Sequence, residues 1–370
     1  MPRPHRRSRS GPLGRIAAAA AAALAVALLA GCGSSNGSSS SSSSPASGAG
    51  SGTSSTPARY PVTIQNCATK LTFSHAPTRA VSNDINATED MLALGLAHSM
   101  VGTFGVSGDG PVGEPVPPPQ YQAAFRSVKA VSPDYFTLEP LLGLRPDFLF
   151  AGWNYGFEQG TRLTPNGLAK FGIKSLALTE SCAHVQHGKS TVSIDNTYTD
   201  LTNLGAIFGV PQRAAALVHK LKAQVAGVRQ KVGTLKPVSV FVYDSGTDSP
   251  FTAPGLATPD ALISLAGGSN VFHSLKQSWT SVSWEQVTAR KPQCIVINDY
   301  GTPTAKQKRK FLEHFPATRD LPAVRNGCIL ALPYDELTPS PRNADAVVAI
   351  AKLLHPAAFG LPARPNSNPS

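Results

Sequence analysis

The 370-residue chain contains 33 lysine and arginine residues against 22 aspartate and glutamate residues, which gives a formal net charge of +11. Five of the positive charges are arginines of the first 31 residues, so the chain without that segment is near +6. No run of lysine or arginine with interleaved aromatic residues follows, and we therefore expect no nucleic-acid partner.

Residues 1–31 have the features of a secretory signal. The five arginines precede an apolar run from Ile16 to Ala30, which is too short to span a bilayer comfortably, and small residues lead up to Cys32. The position of Cys32 resembles the lipobox of bacterial lipoproteins, in which this cysteine is acylated and becomes the N-terminus. The resemblance implies an extracytoplasmic protein, anchored to the outer face of the cell membrane by the lipid on Cys32.

The segment from residue 32 to residue 59 is rich in glycine and serine and contains no large apolar residue. Such a composition is typical of a flexible tether. We therefore expect the folded body to begin at Tyr60.

Four cysteines remain after Cys32. They are Cys67, Cys182, Cys294 and Cys328. An even number of cysteines in an exported protein predicts two disulfides, and four cysteines allow three pairings. None of them forms a CxxC motif, so no zinc site is predicted.

From Tyr60 onward, apolar strand-like runs alternate with helical patterns, as in parallel sheets with crossover helices. The first series contains RAVSND, SMVGTF, DFLFAG and IKSLALT; the second contains VSVFVYDSG, CIVINDY and CILALPYDE. The Gly- and Pro-rich loop from Gly105 to Tyr121 fits neither series. The sequence therefore predicts two α/β lobes.

A strongly helical region separates the two series. One helix is predicted from Thr197 to Phe208, and a second begins at Pro211 and ends near Val232, with apolar residues along one stripe. A helix of some twenty residues is roughly 30 Å long, about the width of a small domain. We predict an N-terminal lobe at 60–194, connecting helices at 195–235, and a C-terminal lobe at 236–370.

Polar and aromatic residues follow the predicted strands. In open parallel sheets, ligands bind outside the carboxyl ends of the strands, and aromatic residues with a polar neighbour supply apolar contact area and an orienting hydrogen bond. The predicted ligand-binding residues are Asn83, Asp84, Trp153, Tyr155, Tyr243, Ser245, Tyr300 and Tyr334, with Trp279 close by.

The body resembles the iron-siderophore and cobalamin class of periplasmic-type binding proteins, the substrate receptors of ABC importers. The resemblance lies in PVTIQNCATKLTFSHAPTRAVSNDINATEDMLALGLAHSMVGT, in WEQVTARKPQCIVI and in Ser340-Pro341-Arg342. It implies two lobes with central parallel sheets, joined by a single long helix, with the ligand between them. If the disulfides follow these lobes, Cys67 pairs with Cys182 and Cys294 pairs with Cys328.

Two stretches share one pattern: LEPLLGLRPDFLF from Leu138 to Phe150, and WEQVTARKPQCIV from Trp284 to Val296. In both, a glutamate near the start is followed by a proline that ends a short helix before a strand. The resemblance implies that Glu139 and Glu285 form salt bridges with arginines of a permease dimer, one on each lobe. The alternative is that each glutamate only favours a helix start.

The resemblance implies a small-molecule iron chelate as ligand, a ferric siderophore, which brings its own metal ligands. The protein then needs aromatic walls and a few polar or basic groups, among which Arg342 is the best basic candidate, and no cofactor. Cobalamin or haem would suit the same architecture. We expect a monomer.

Two other functions are weighed against this one. His184 and His187 form an HxxH next to Cys182 that could bind a metal ion directly, but no comparable motif adds further ligands. An exported enzyme is the other alternative, yet the chain has no GxSxG, HExxH or GxxxxGK[ST] motif. We therefore expect no enzyme, no catalytic residue and no metal ligand.

Overall fold

A computed structural model describes residues 59–107, 116–186 and 191–362. The predicted signal, Cys32, nearly all of the tether, His187 and the middle of the Gly105–Tyr121 loop lie outside these residues. Among the helices described, none is both long and apolar enough to cross a membrane.

A short antiparallel hairpin opens the body, with strands β1 (Val62–Asn66) and β2 (Thr69–Phe73). The first sheet follows, and all its neighbouring strands are parallel. Its strands are β3 (Ala80–Asn83), β4 (Met100–Phe104), β5 (Ala130–Ser132), β6 (Phe148–Trp153), β7 (Gly156–Phe157) and β8 (Lys174–Ala177). The spatial order is β5-β4-β3-β6, and both β7 and β8 pair with β6. The order of strands along the chain therefore reverses between β3 and β6.

The helices of this half are short. They are α1 (Ile85–Ala93), α2 (Pro119–Phe125), α3 (Leu138–Gly143) and α4 (Pro165–Ala169), with 3-10 turns at Ala97–Ser99 and Glu180–His184. Strand β6 is buried over its first five residues, as expected for a parallel strand that is covered on both faces.

Two longer helices connect the halves, α5 (Asp195–Ile207) and α6 (Pro211–Val232). The prediction of a long helix from Pro211 to Val232 is confirmed. Leu221, Val225, Val228 and Val232 of α6 are buried on one stripe, because 3.6 residues per turn return them to the same face. Gly209, between the helices, has a φ of 73°, a conformation that glycine adopts without a steric penalty.

The second sheet contains four parallel strands, β9 (Val238–Tyr243), β11 (Gly268–Asn270), β13 (Cys294–Asp299) and β14 (Ile329–Pro333). Their spatial order is β11-β9-β13-β14. Here the order along the chain reverses between β9 and β13. Two separate parallel sheets on similar plans confirm the predicted fold class.

The remaining elements cover the second sheet. A small antiparallel ribbon pairs β10 (Phe251–Thr252) with β12 (Thr280–Ser281). The helices are α7 (Thr258–Leu265), α8 (Trp284–Arg290), α9 (Ala305–His314), α10 (Pro322–Arg325), α11 (Tyr334–Leu337) and α12 (Asn343–Leu354), and a 3-10 turn follows at Pro356–Phe359. The described residues from Arg59 onward pack as one unit, and the boundaries near residues 195 and 235 stay predictions.

Two disulfides are present, Cys67 to Cys182 and Cys294 to Cys328. These are the pairs that the family resemblance implied. The first links the turn of the hairpin to the 3-10 turn after β8, and the second links the first residue of β13 to the residue before β14. Each disulfide therefore stays within one half of the chain.

Candidate functional site

Asp84 lies where the order of the first sheet reverses, at the carboxyl end of β3. Its φ of 80° is unusual for a residue with a side chain, and such strain persists where the surroundings hold the residue in place. One carboxylate oxygen accepts a hydrogen bond from the backbone N–H of Ile85, at 2.8 Å, and begins α1. The other accepts from the hydroxyls of Tyr135, at 2.7 Å, and Tyr334, at 2.8 Å. Tyr334 belongs to the second half, so this bond joins the two halves.

Asp244 occupies the matching place in the second sheet, directly after β9. Its carboxylate accepts hydrogen bonds from the Asn298 amide at 2.7 Å, the Tyr300 hydroxyl at 2.8 Å and the Ser245 hydroxyl at 2.9 Å. The rings of Tyr300 and Tyr334 meet edge to face with centroids 5.4 Å apart. The two buried aspartates are therefore linked through two tyrosines in contact.

Tyr155 of the first half and Trp279 of the second half lie beside these linked aspartates and tyrosines. Tyr155 is buried, and burial together with the nearby Glu180, Tyr135 and Asp84 raises its pKa well above the ordinary value, while a hydrogen bond with Trp279 acts in the opposite direction. Trp279 is partly exposed and stacks on Phe251, with centroids 6.1 Å apart. We call Asp84, Asp244, Tyr155, Trp279, Tyr300 and Tyr334 the cleft cluster.

Three carboxyl groups, Glu180, Asp200 and Asp90, are buried, and Asp200 is close enough to affect the pKa of the other two. Burial and the neighbouring Asp200 raise the pKa of Glu180 to about 8. Burial raises the pKa of Asp200 to about 7, although hydrogen bonds from Thr179 oppose this. Asp90 has no hydrogen-bond partner for either carboxylate oxygen, and burial and Asp200 raise its pKa well above the ordinary value. These groups hold protons in the folded protein at pH values where they would ionise in water.

The free energy of unfolding should therefore fall as pH rises from about 5 to about 8. The raised pKa values mean that the folded chain binds more protons than the unfolded chain, so the stabilisation is complete below the ordinary carboxyl pKa and is lost as pH passes through about 7 to 8. In urea unfolding, the free energy of unfolding of the Glu180→Gln, Asp200→Asn double variant should fall less over this pH range than that of the wild type, by roughly 1 to 3 kcal/mol. The exposed Glu313→Gln serves as control, and an unchanged slope in the double variant would contradict the assignment.

Arg342, the predicted basic ligand contact, is paired with carboxylates of the chain itself in this structure, and its part in binding stays a prediction. Its guanidinium donates to the carboxylates of Asp335 and Glu336 and lies 4.0 Å from Glu89 of the first half. Burial and Asp335 raise the pKa of Glu89 well above the ordinary value. The arginine is thus surrounded by carboxyl groups, and its charge serves the contact between the halves.

Two further predicted ligand residues, Tyr243 and Asn83, lie outside the cleft cluster and make their contacts within one half of the chain. Tyr243 is 2% exposed and packs in the core of the second half between Phe241, Trp284 and Phe311, not in the cleft. Asn83 uses both ends of its amide within the first half: it donates to the carbonyl of Tyr155 and accepts from the backbone of Phe136, both at 2.8 Å.

The two remaining predicted ligand residues, Trp153 and Ser245, lie neither in the core nor at the centre of the cleft cluster. Trp153 is half-buried against Phe157, with centroids 5.7 Å apart, and Ser245 donates to Asp244 at the edge of the cluster. Of the predicted ligand residues, the structure brings together Asp84, Tyr155, Trp279, Tyr300 and Tyr334. Their part in ligand binding stays a prediction.

The predicted ligand residues did not include Asp244, although it lies between Tyr243 and Ser245 at the end of a predicted strand, and they did not include Tyr135 or Lys308. A signal existed for the first two, since Asp244 directly follows β9 and Tyr135 follows β5 by three residues. Lys308 gave no signal, because it lies in a basic helix that reads as solvent-exposed. It is buried, donates to the carbonyl of Asn298 at 2.6 Å and covers the ring of Tyr300.

Glu139 and Glu285 occupy the same position in their helices, the second residue of α3 and of α8, and both are exposed. The serine before α8 forms a capping box with Gln286, which fixes the start of the helix. Hydrogen bonding to Ser283 and to the backbone lowers the pKa of Glu285. Both side chains therefore face solvent, and the lowered pKa favours the charged form of Glu285.

Direct metal binding gains no support from the described residues, which contain no group of three or more His, Cys, Asp or Glu side chains able to hold a metal ion. Cys182 is engaged in a disulfide. Burial lowers the pKa of His184, whose ring lies 6.4 Å from that of Tyr155. His187 lies outside the described residues.

Comparisons with known proteins agree with this architecture. Residues 81–336 match the family described as periplasmic binding protein. A vitamin B12-binding protein of Photorhabdus laumondii is 27% identical over 248 residues, which are 66% of this chain and 78% of that protein. A periplasmic binding protein from Veillonella parvula is 29% identical with a TM-score of 0.68, covering 80% of this chain and 97% of that one. The structure titled ABC-type Fe3+-hydroxamate transport system, from Saccharomonospora viridis, is 24% identical with a TM-score of 0.66, covering 80% and 99%, and shows the fold alone.

Proposed function

Because this chain belongs to the periplasmic binding protein family, we propose that it is the extracytoplasmic receptor of an ABC importer and captures an iron-siderophore complex at the cleft cluster. The observation that carries the proposal is the matched pair of buried aspartates, one at the reversal point of each sheet, with aromatic residues of both halves around them. Sites of this kind lie at the carboxyl ends of parallel strands. The protein acts by binding and not by catalysis.

The charge of the cleft cluster favours a neutral or cationic ligand. Two basic side chains near the cluster are already occupied: Arg342 by carboxylates, and Lys308 by a carbonyl and a tyrosine ring. His184 has a lowered pKa and is neutral. A ferric hydroxamate complex, which is neutral or cationic, suits such a cleft better than a ferric catecholate or haem, whose negative charges would need cations.

Cobalamin is the second candidate, and one observation favours it. The curated relative from Photorhabdus laumondii is named a vitamin B12-binding protein and is 27% identical over 66% of this chain. Cobalamin has a periphery of neutral amides and a broad apolar ring, which also suits aromatic walls with a few hydrogen-bonding groups. Either ligand would be delivered to the permease of an ABC importer in the same way.

The lipid on Cys32 would hold this receptor at the outer face of the cell membrane, and the Gly- and Ser-rich segment would let the body reach its permease dimer. Glu139 and Glu285, exposed at equivalent helix starts, are the proposed contacts with permease arginines. Carboxylate–arginine pairs at such an interface fix the register of the complex and speed the encounter. We propose that the receptor works as a monomer.

Titration of the purified protein with candidate ligands tests the proposal through the fluorescence of Trp279 and Trp153. We expect saturable quenching by a ferric hydroxamate or by cyanocobalamin, and at least about ten-fold weaker binding of a ferric catecholate and of haem, since desolvating unpaired negative charge costs more than one factor of ten. Native mass spectrometry of protein from its own host identifies the bound ligand. Tightest binding of a catecholate or haem would contradict the charge argument, and binding of none of these ligands would contradict the proposed function.

A further inference from the structure

The connecting helix α6 carries an uncompensated positive charge on its exposed side. Its 22 residues include no aspartate or glutamate. Lys220, Lys222, Arg229 and Lys231 are exposed, and among the described residues none of the four forms an ion pair. At 1.5 Å per residue the helix extends for about 33 Å, which makes this a long basic surface.

The arrangement of these cations around α6 is regular. At 3.6 residues per turn, Lys220 and Lys231 lie on one flank of the helix, and Lys222 and Arg229 lie on the other. Between the flanks, opposite the buried stripe, lie Ala216, Ala223 and Gly227 together with the uncharged polar side chains of Gln212 and Gln230 and with His219. A Cβ added at Gly227 would meet no atom within 4 Å, so the space at this glycine is open. The long lysine and arginine side chains of both rows can extend past this side toward a flat surface.

Two of the four exposed large apolar residues among those described lie at the C-terminal end of this helix. Leu235, three residues after α6, is 40% exposed, and Leu361 is 43% exposed. The 3-10 turn before Leu361 packs on α6, where the Lys231 ammonium lies 5.6 Å from the centre of the Phe359 ring. Cations next to exposed apolar side chains are typical of surfaces that lie at a lipid–water interface.

The chain joins the folded body close to the other end of α6. The hydroxyl of Tyr60, the second described residue, donates to the carbonyl of Ile207 at 2.8 Å, four residues before Pro211 begins the helix. A membrane anchor at Cys32 would therefore attach to the body beside the β1–β2 hairpin and the N-terminal end of α6. This attachment lets the outer side of α6 reach the bilayer.

We propose that the outer side of α6 lies on an anionic phospholipid surface, with Lys220, Lys222, Arg229 and Lys231 at the phosphates and with Leu235 and Leu361 in the headgroup layer. We call these six residues the α6 surface. The contact would hold the receptor against the membrane between docking events, and it is independent of the ligand in the cleft. Each cation near an anionic bilayer strengthens binding about five-fold.

The test uses flotation of the full chain with vesicles of phosphatidylglycerol and phosphatidylcholine. All proteins carry Cys32→Ser, so that no acyl chain contributes, and any binding by the first 31 residues is common to all. Replacement of the four α6 cations by glutamine should lower binding at least about ten-fold at moderate salt, even if only two of them reach the phosphates. The matched control replaces four exposed cations elsewhere by glutamine: Lys306, Lys310, Arg319 and Arg325. It removes the same charge and should lower binding less than about two-fold, because those cations would not reach the phosphates.

The apolar part is tested separately. Leu235→Ser with Leu361→Ser should weaken the binding that persists at high salt, whereas Phe171→Ser, at a residue 45% exposed elsewhere, should not. Equal losses in the two glutamine variants, equal binding to pure phosphatidylcholine, or stronger retention by DNA than by anionic vesicles would each overturn the proposal. Ligand titration of every variant verifies that it is folded. If the wild type binds none of the ligands, the proposed function fails, but the vesicle result still tests the α6 surface.

Discussion

Ligand-dependent uptake by cells should fall at least about ten-fold when Glu139→Ala and Glu285→Ala are combined, and less for either change alone. Each glutamate is exposed at the start of a short helix, one helix in each half of the chain. If each glutamate contacts one permease subunit, the double change removes both contacts that align the receptor on the permease. Each close charge pair at an interface contributes about 1.5 kcal/mol or more to the binding free energy. Arginine at both positions should be worse, because it adds repulsion.

The affinity of the purified double variant for its ligand and its thermal stability should stay unchanged, since exposed charges contribute little to folding. Glu158→Ala with Glu313→Ala is the matched control: both residues are exposed, and the net charge changes by the same amount. The measurement compares uptake of labelled ligand by cells with titration of the same proteins in solution. Normal uptake in the double variant, or a loss of ligand affinity that accounts for the defect, would return both residues to a simple helix-start role.

Ligand affinity should fall about 100-fold or more when Tyr155→Ala and Trp279→Ala are combined. A central aromatic residue in a binding cleft contributes about 1 to 3 kcal/mol, and these two residues approach the same space from opposite halves. Because they contact each other, the effects of the single changes should not add. Fluorescence cannot serve as the readout here, so calorimetric titration is used.

The Tyr243→Phe variant tests whether a change in the core, outside the cleft cluster, affects ligand affinity. Tyr243 lies in the aromatic core of the second half, and its hydroxyl donates only to the carbonyl of Gly246, at 3.2 Å. This change should cost about 1 kcal/mol of stability or less and leave ligand affinity intact. Tyr155→Phe keeps the ring and should preserve most of the affinity, which distinguishes ring contact from loss of folding. Unchanged affinity in the Tyr155 and Trp279 alanine variant would show that the cleft cluster is not the binding surface.

The sequence by itself determined the fold class and the order of its elements. Alternating apolar strands and helices predict two parallel sheets, and the stripe from Leu217 to Val232 predicts the long helix that the structure contains. These patterns are local: helical periodicity and buried parallel strands depend on neighbours a few residues apart. The glutamates at the starts of α3 and α8 were predictable for the same reason.

Only the tertiary structure decided which residues come together in the cleft cluster and which charges are paired. Tyr243 follows Phe241 by two residues in β9 and so points to the same face of the sheet, into the core, whereas Tyr155 lies beyond the end of β6. Arg342 finds carboxylates on α11 and on α1, and Asp84 meets Tyr334 from 250 residues away. Such contacts depend on how the two halves pack, and local sequence carries no information about the partner that a buried charge or hydroxyl will meet.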